Sequence, residues 1–88
     1  MVRRKVEIVN TRGLHARAAA KFVRLTNGFD ARVRVSKDGN CVSGDSIMGL
    51  MTLAASIGTM IRIETDGADE VAALEALAGL VAAGFEDD

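Results

Sequence analysis

The chain has 88 residues, 49% of them apolar, and a formal charge of −1 at pH 7. That length supports one core and no second, so residues 1–88 read as a single domain. The only aromatic residues are Phe22, Phe29 and Phe85, which argues against a base-stacking platform and hence against a nucleic-acid partner. The longest mainly apolar stretch, Ile47 to Ile61, is too short and too interrupted to cross a bilayer. The basic start Met1–Lys5 is not followed by the apolar run of a signal peptide. A single cysteine, Cys41, fits a reducing compartment and reads as inert packing that competes with Val42 for the core. A cytoplasmic protein with no membrane partner is expected. The near-zero charge hides a polarity: residues 1–44 hold ten Lys/Arg against three acids, and residues 45–88 hold one Arg against nine.

Residues 3–9 alternate as a strand, with Val6 and Ile8 on one face, and Asn10-Thr11-Arg12-Gly13 is turn chemistry. A helix is expected over 16–27, Ala-rich and stopped at Asn27-Gly28, burying Ala19, Phe22, Val23 and Thr26. Its other face carries Arg17, Lys21 and Arg24, which with Arg12 form a basic cluster around His15. Residues 31–37 alternate, Asp38-Gly39 is a two-residue hairpin signal, and 40–43 return as a short strand. A short helix over 46–53 is apolar at Ile47, Met48, Leu50, Met51 and Leu53, too many for one face, so part of it meets the core or stays exposed for a partner. Residues 59–65 alternate around Ile61 and Ile63. A last helix over 68–83 carries the stripe Val71, Leu74, Leu77, Ala78 and Val81 and stops at Gly84. The tail Glu86-Asp87-Asp88 reads as frayed and solvated.

The order β-α-β-β-α-β-α with one tight hairpin predicts an α+β fold: a four-stranded antiparallel sheet with three helices on one face. Lys5, Glu7, Arg32, Arg34, Arg62 and Glu64 then fall on the open face.

The chemistry concentrates at His15, the single histidine, where a turn gives way to a helix. A helix start exposes N–H groups without intrahelical acceptors and carries roughly half a positive charge, so it attracts anions. A neutral imidazole there is a nucleophile near pH 7. The N–H groups of Ala16 and Arg17, with the Arg17 guanidinium, are placed to hold a phosphoryl group. Without chemistry, His15 is a surface or capping residue. Ser46 likewise has a structural reading as a helix N-cap.

Gly13-Leu14-His15-Ala16-Arg17-Ala18-Ala19 resembles the active-site signature of the HPr family, the histidine-containing phosphocarriers of the phosphoenolpyruvate-dependent phosphotransferase system. Asp45-Ser46-Ile47-Met48-Gly49-Leu50-Met51-Thr52-Leu53 resembles that family's regulatory serine segment, and the element order agrees from end to end. The resemblance implies the HPr-like open-faced β-sandwich. It implies a carrier, not a stand-alone enzyme, that takes phosphate on Nδ1 of His15 from enzyme I and passes it to an enzyme IIA-type domain. It implies phosphorylation of Ser46 by HPr kinase/phosphorylase, a partner surface at Arg24, Ile47, Met48 and Met51 that leaves Leu50 and Leu53 to the core, and a monomer needing no metal or cofactor. Two departures stand out. Ala18 occupies a position where many relatives have proline, and Asp45 places a carboxylate beside Ser46. The Leu14-His15-Ala16-Arg17-Ala18 run, Leu53-Ala54-Ala55 and the Gly84-Phe85 ending resemble the nitrogen-related branch more than the sugar-transport branch. The alternative reading is a regulatory module of the same fold that signals by binding without onward transfer.

Overall fold

A computed structural model describes residues 1–86. Its elements are β1 (Val2–Glu7), α1 (Ala16–Thr26), β2 (Arg32–Lys37), β3 (Asn40–Ser43), α2 (Ile47–Thr52), β4 (Met60–Asp66) and α3 (Glu70–Ala82), then a short turn of 3₁₀ helix, Gly84–Glu86. The strands form one antiparallel sheet in the order β1-β4-β2-β3. The expected α+β architecture is the one observed, an open-faced sandwich with three helices over one face.

Alternation along the strands produces the two faces. Val33, Val35, Ile61 and Ile63 point inward and are buried, while Arg3, Lys5, Glu7, Arg32 and Arg34 are exposed on the other side. Helix α3 covers β1 and β4, and α1 packs against both α2 and α3. Phe22, Leu50, Leu77, Val81 and Phe85 fill the space between, each at most 1% exposed. The predicted inner face of α1 holds: Ala19, Phe22 and Thr26 are buried and Val23 half-buried.

Several boundaries and roles shift, each for a local reason. β1 ends at Glu7, so Val9 is outside the strand and exposed. Ile8 still closes the sheet, donating to the Thr59 carbonyl and accepting from Gly58 N–H. Cys41 is exposed rather than packed, because the register pairs Val42 with the inward Val35 and Cys41 with Ser36 on the open face. Val71 is not in the core; it is 62% exposed in the first turn of α3, at the rim of an arc centred on Leu74, Leu77 and Val81 and completed by Ala73 and Ala78. Glu86 falls in the final 3₁₀ turn, and Asp87 and Asp88 of the expected frayed tail lie outside the described residues. Phe85 in that turn is fully buried, with a left-handed backbone (φ 57°) entered through Gly84 (φ 64°). Lys21 closes the turn by donating to the Phe85 carbonyl at 2.8 Å.

The loop before α1 is held by a backbone contact. Leu14 N–H donates to the Ala55 carbonyl at 2.9 Å, and Gly13 has φ +65°. A Cβ on Gly13 would lie 2.3 Å from that same carbonyl oxygen. Only glycine fits both the conformation and the space.

Replacing Gly13 by alanine is therefore expected to lower stability by at least about 1–2 kcal/mol, the cost of the left-handed backbone alone. Urea unfolding checks this, and an unchanged midpoint would show that the close approach to Ala55 is not made. A second expectation concerns the start of α3. The Gly67 N–H, and after it the Met1 amine, hold the Glu70 carboxylate below its usual 4.5. A carboxylate lowered on folding stabilises the fold above its unfolded value, and that contribution fades as pH falls through the lowered folded value. The stability gap between wild type and Glu70→Gln should thus be present at pH 7 and shrink below about pH 4.5. A gap that widens on acidification would refute the linkage.

Candidate phosphoryl site at the start of helix α1

His15 is the N-cap of α1, with an extended backbone (φ −83°, ψ −179°), while its carbonyl already accepts the first helical bond from Ala19 N–H at 2.8 Å. The imidazole is half-buried and makes no capping hydrogen bond to the first turn. Ala16 and Arg17, the first two residues of the helix, are exposed. The N–H groups of a first helical turn have no carbonyl four residues back to donate to. The geometry thus sets an accessible imidazole at the positive end of a helix dipole, with a guanidinium two residues on.

The loop beneath is rigid. Asn10 is 1% exposed; its side-chain Nδ2 donates to the Gly13 carbonyl at 2.9 Å, and its own carbonyl accepts from Gly13 N–H at 3.1 Å. Leu14, 5% exposed, plugs the loop into the core beside Ala55. Sequence reasoning treated Asn10 as a turn residue and missed its burial. A polar residue between a strand and a Gly-containing turn carries no signal that distinguishes an inward amide from an outward one.

The expected basic cluster is only partly assembled around His15. Lys21 is turned toward the C-terminal carbonyls of Phe85 and Glu86. Arg24 is exposed but lies roughly 13 Å farther along the helix axis than His15 at 1.5 Å per residue. With Lys21, Leu25, Leu80 and Ala83 it borders a hollow of about 530 Å³ between α1 and α3. Arg24 thus borders that hollow and lies well away from His15. Arg12 is exposed on the loop itself.

Ser46 is the N-cap of α2, as its structural reading expects, and its Oγ accepts from Gly49 N–H at 3.0 Å. The neighbouring Asp45 carboxylate accepts from the Ser43 hydroxyl. Beyond Ser46 the six-residue helix divides its apolar residues as expected. Leu50 and the C-cap Leu53 are buried, whereas Ile47, Met48 and Met51 are 40%, 76% and 42% exposed. At the other end of α2, Lys37 Nζ donates to the Leu53 carbonyl at 3.2 Å and sits 3.5 Å from that of Ala54. That contact joins β2 to the segment that supports Gly13, and it too went unforeseen. Among the described residues no group of His, Cys, Asp and Glu side chains is arranged to hold a metal ion, and no helix is long and apolar enough to cross a membrane.

Comparison with known proteins places this geometry in a family. The family model described as the PTS HPr component phosphorylation site matches residues 2–83. Phosphocarrier protein HPr of Neisseria meningitidis is 51% identical over 81 residues, covering 92% of this chain and 91% of the relative. The HPr-like protein Crh of Bacillus subtilis is 49% identical over 81 residues, 92% of this chain and 95% of Crh. A crystal structure of HPr from Thermoanaerobacter tengcongensis superposes with a TM-score of 0.94 at 39% identity, covering 100% of this chain and 99% of its own. The chain belongs to the HPr family of phosphotransferase-system phosphocarriers.

Proposed function

We propose that this chain, acting as a single domain in the cytoplasm, accepts a phosphoryl group on Nδ1 of His15 from phosphorylated enzyme I and passes it to an enzyme IIA-type acceptor. The observation that carries the proposal is the placement of the imidazole at the N-cap of α1, accessible and backed by a locked loop. The lone pair on Nδ1 attacks phosphorus as the bond from phosphorus to the donor's nitrogen breaks, so the phosphoryl group changes nitrogen. In a loose transition state the equatorial oxygens carry the charge. The N–H groups of Ala16 and Arg17 and the Arg17 guanidinium face that charge. Onward transfer is the same step in reverse, with the acceptor's nucleophile replacing the donor's. Binding on both sides must be strong enough to align the nitrogens and weak enough to let the partners part.

The partner surface in this proposal is the exposed apolar edge of α2, Ile47, Met48 and Met51, with Arg24 on the rim. Methionine adapts to surfaces of different shape, as a carrier with several partners requires. Ser46 sits at the head of that helix. A phosphate on its Oγ adds about −1.5 to −2 charge beside the docking residues. That would weaken contact with an acidic donor surface, and HPr kinase/phosphorylase is the proposed source. The chain is proposed to act as a monomer, its β1 paired along six residues with its own β4. The regulatory-module reading keeps a specific support in the similarity to Crh. It requires partner binding without phosphate on His15.

Incubation with enzyme I and phosphoenolpyruvate should add one acid-labile phosphate to the chain, detected by intact mass, and His15→Ala should add none. No incorporation from a competent enzyme I would sink the carrier reading in favour of the regulatory module. With HPr kinase and ATP the expected product is an acid-stable phosphate that is lost in Ser46→Ala. The same variant removes the cap on α2 and should unfold with about 1 kcal/mol less stability. Acid-stable phosphate persisting in Ser46→Ala would move the regulatory site elsewhere.

A further inference from the structure

Each polar atom of the Gly13–Leu14 peptide unit is held by a different partner. Its carbonyl oxygen accepts from Asn10 Nδ2 at 2.9 Å, and its N–H donates to the Ala55 carbonyl at 2.9 Å. With both ends of this peptide plane fixed, the direction in which the chain enters Leu14 and His15 is fixed as well. Leu14 is plugged into the core, so the backbone at His15 has little freedom left. Ala55 contributes only backbone to this clamp. The side chain that completes it is Asn10.

Three features show that the Asn10 amide is built for this contact. It is sealed from water at 1% exposure, although among the described residues its Oδ1 has no hydrogen-bond partner. A buried amide oxygen without a partner is costly, so local stability alone does not account for an asparagine here. The amide can face only one way, because the reverse orientation would set oxygen against the Gly13 carbonyl oxygen. The C-terminal turn closes over the residue, with Gly84 so near that a Cβ there would lie 3.4 Å from Asn10 Cβ.

We infer that Asn10 is a positioning residue for phosphoryl transfer at His15: its carboxamide holds the Gly13 carbonyl and thereby aims the imidazole at the incoming phosphorus. The inference rests on the reading of His15 as the phosphoryl acceptor. It predicts an effect on the transfer step and not on docking, because the residues proposed to meet partners lie on α2 and at Arg24. In-line displacement tolerates little misalignment, and a displacement of about 1 Å can cost up to about a hundredfold in rate.

The test is rapid-quench phosphorylation of the full chain by phosphorylated enzyme I, at several carrier concentrations. Asn10→Ala is expected to lower kcat on the order of tenfold with KM little changed, the signature of an interaction that matters only in the transition state. Val33→Ala is the stability control. Val33 is buried on β2, near Thr26 at the far end of α1 from His15, and its truncation should lower the melting temperature while leaving kcat in place. Asn10→Asp supplies a readout that fold stability does not mimic. Its carboxylate cannot donate to Gly13, but its protonated form can, and burial raises the pH at which it protonates. Its rate relative to wild type should therefore rise as pH is lowered. The inference is overturned if Asn10→Ala transfers at the wild-type rate, if Val33→Ala slows transfer equally, or if the Asn10→Asp ratio does not change with pH. A wild-type chain that takes no phosphate on His15 would overturn the acceptor reading, and this inference with it.

Discussion

The contact between Gly13 and the Ala55 carbonyl ties the loop before α1 to the segment after α2. Once Leu14 N–H has bonded to Ala55, the chain must enter α1 at a fixed point and in a fixed direction. The left-handed backbone of Gly13 follows from that approach, and so does the absence of room for any Cβ. Helix α1 then cannot move along its axis without breaking this bond or displacing Phe22 from the core. On the other side of the contact, Ala55 is steadied by its own burial and by Lys37, which caps the carbonyls of Leu53 and Ala54. A lysine on a strand, a buried asparagine in a turn and a glycine before a histidine thus serve one purpose. They hold the backbone that leads into His15.

Such rigidity matters more here than in an enzyme with a deep pocket. An enzyme can enclose its substrate and correct small misplacements by closing around it. In the proposed transfer, the half-buried imidazole at the N-cap of α1 reacts with another protein's side chain. Alignment must therefore be present before the encounter, because little of it can be made afterwards.

What the sequence disclosed follows the physics of each region. Alternation along residues 31–37 and 59–65 and the Asp38-Gly39 turn were sufficient for the sheet, because one face is buried and the other wet. The helix stop near Gly84 was legible because chain reversal there demands a left-handed backbone, and α1 also stops at Asn27-Gly28, with Asn27 still right-handed (φ −68°). The positions of His15 and Ser46 as N-caps followed from where those helices begin. Other features depended on information from distant parts of the chain. The burial of Asn10 requires Gly84 and the C-terminal turn to close over it, and nothing near residue 10 encodes that closure. Lys21 reads locally as one more charge on a basic face, yet the turn at Phe85 claims it. Val71 fits the helical period of α3, but a period says which way a residue points and not how far the neighbouring sheet reaches. Cys41 shows the same limit in a strand: in so short a run as 40–43 the alternation has no fixed phase until the register with β2 sets it.

The charge polarity of the chain acquires a different meaning in three dimensions. β1 and β2, from the basic half, both pair with β4 from the acidic half, so Glu64 lies beside Arg3 on one strand and Arg34 on the other. Arg4 pairs with Glu75 of α3 at 3.0 Å, and the Met1 amine meets Glu70. These exposed pairs contribute little to stability individually, but they mix the two signs across the sheet and α3. The cations Arg12, Arg17 and Arg24 lie off the sheet, on α1 and the loop before it, and α1 packs against α2, whose exposed apolar side chains are Ile47, Met48 and Met51. A carrier that must release its partners gains from this division. In the proposed reading, long-range attraction from a few cations speeds encounter, and a small apolar edge limits how tightly the complex can hold. The same arrangement makes the head of α2 sensitive to added charge. In the proposed reading, a phosphate on Ser46 adds its charge directly beside that apolar edge.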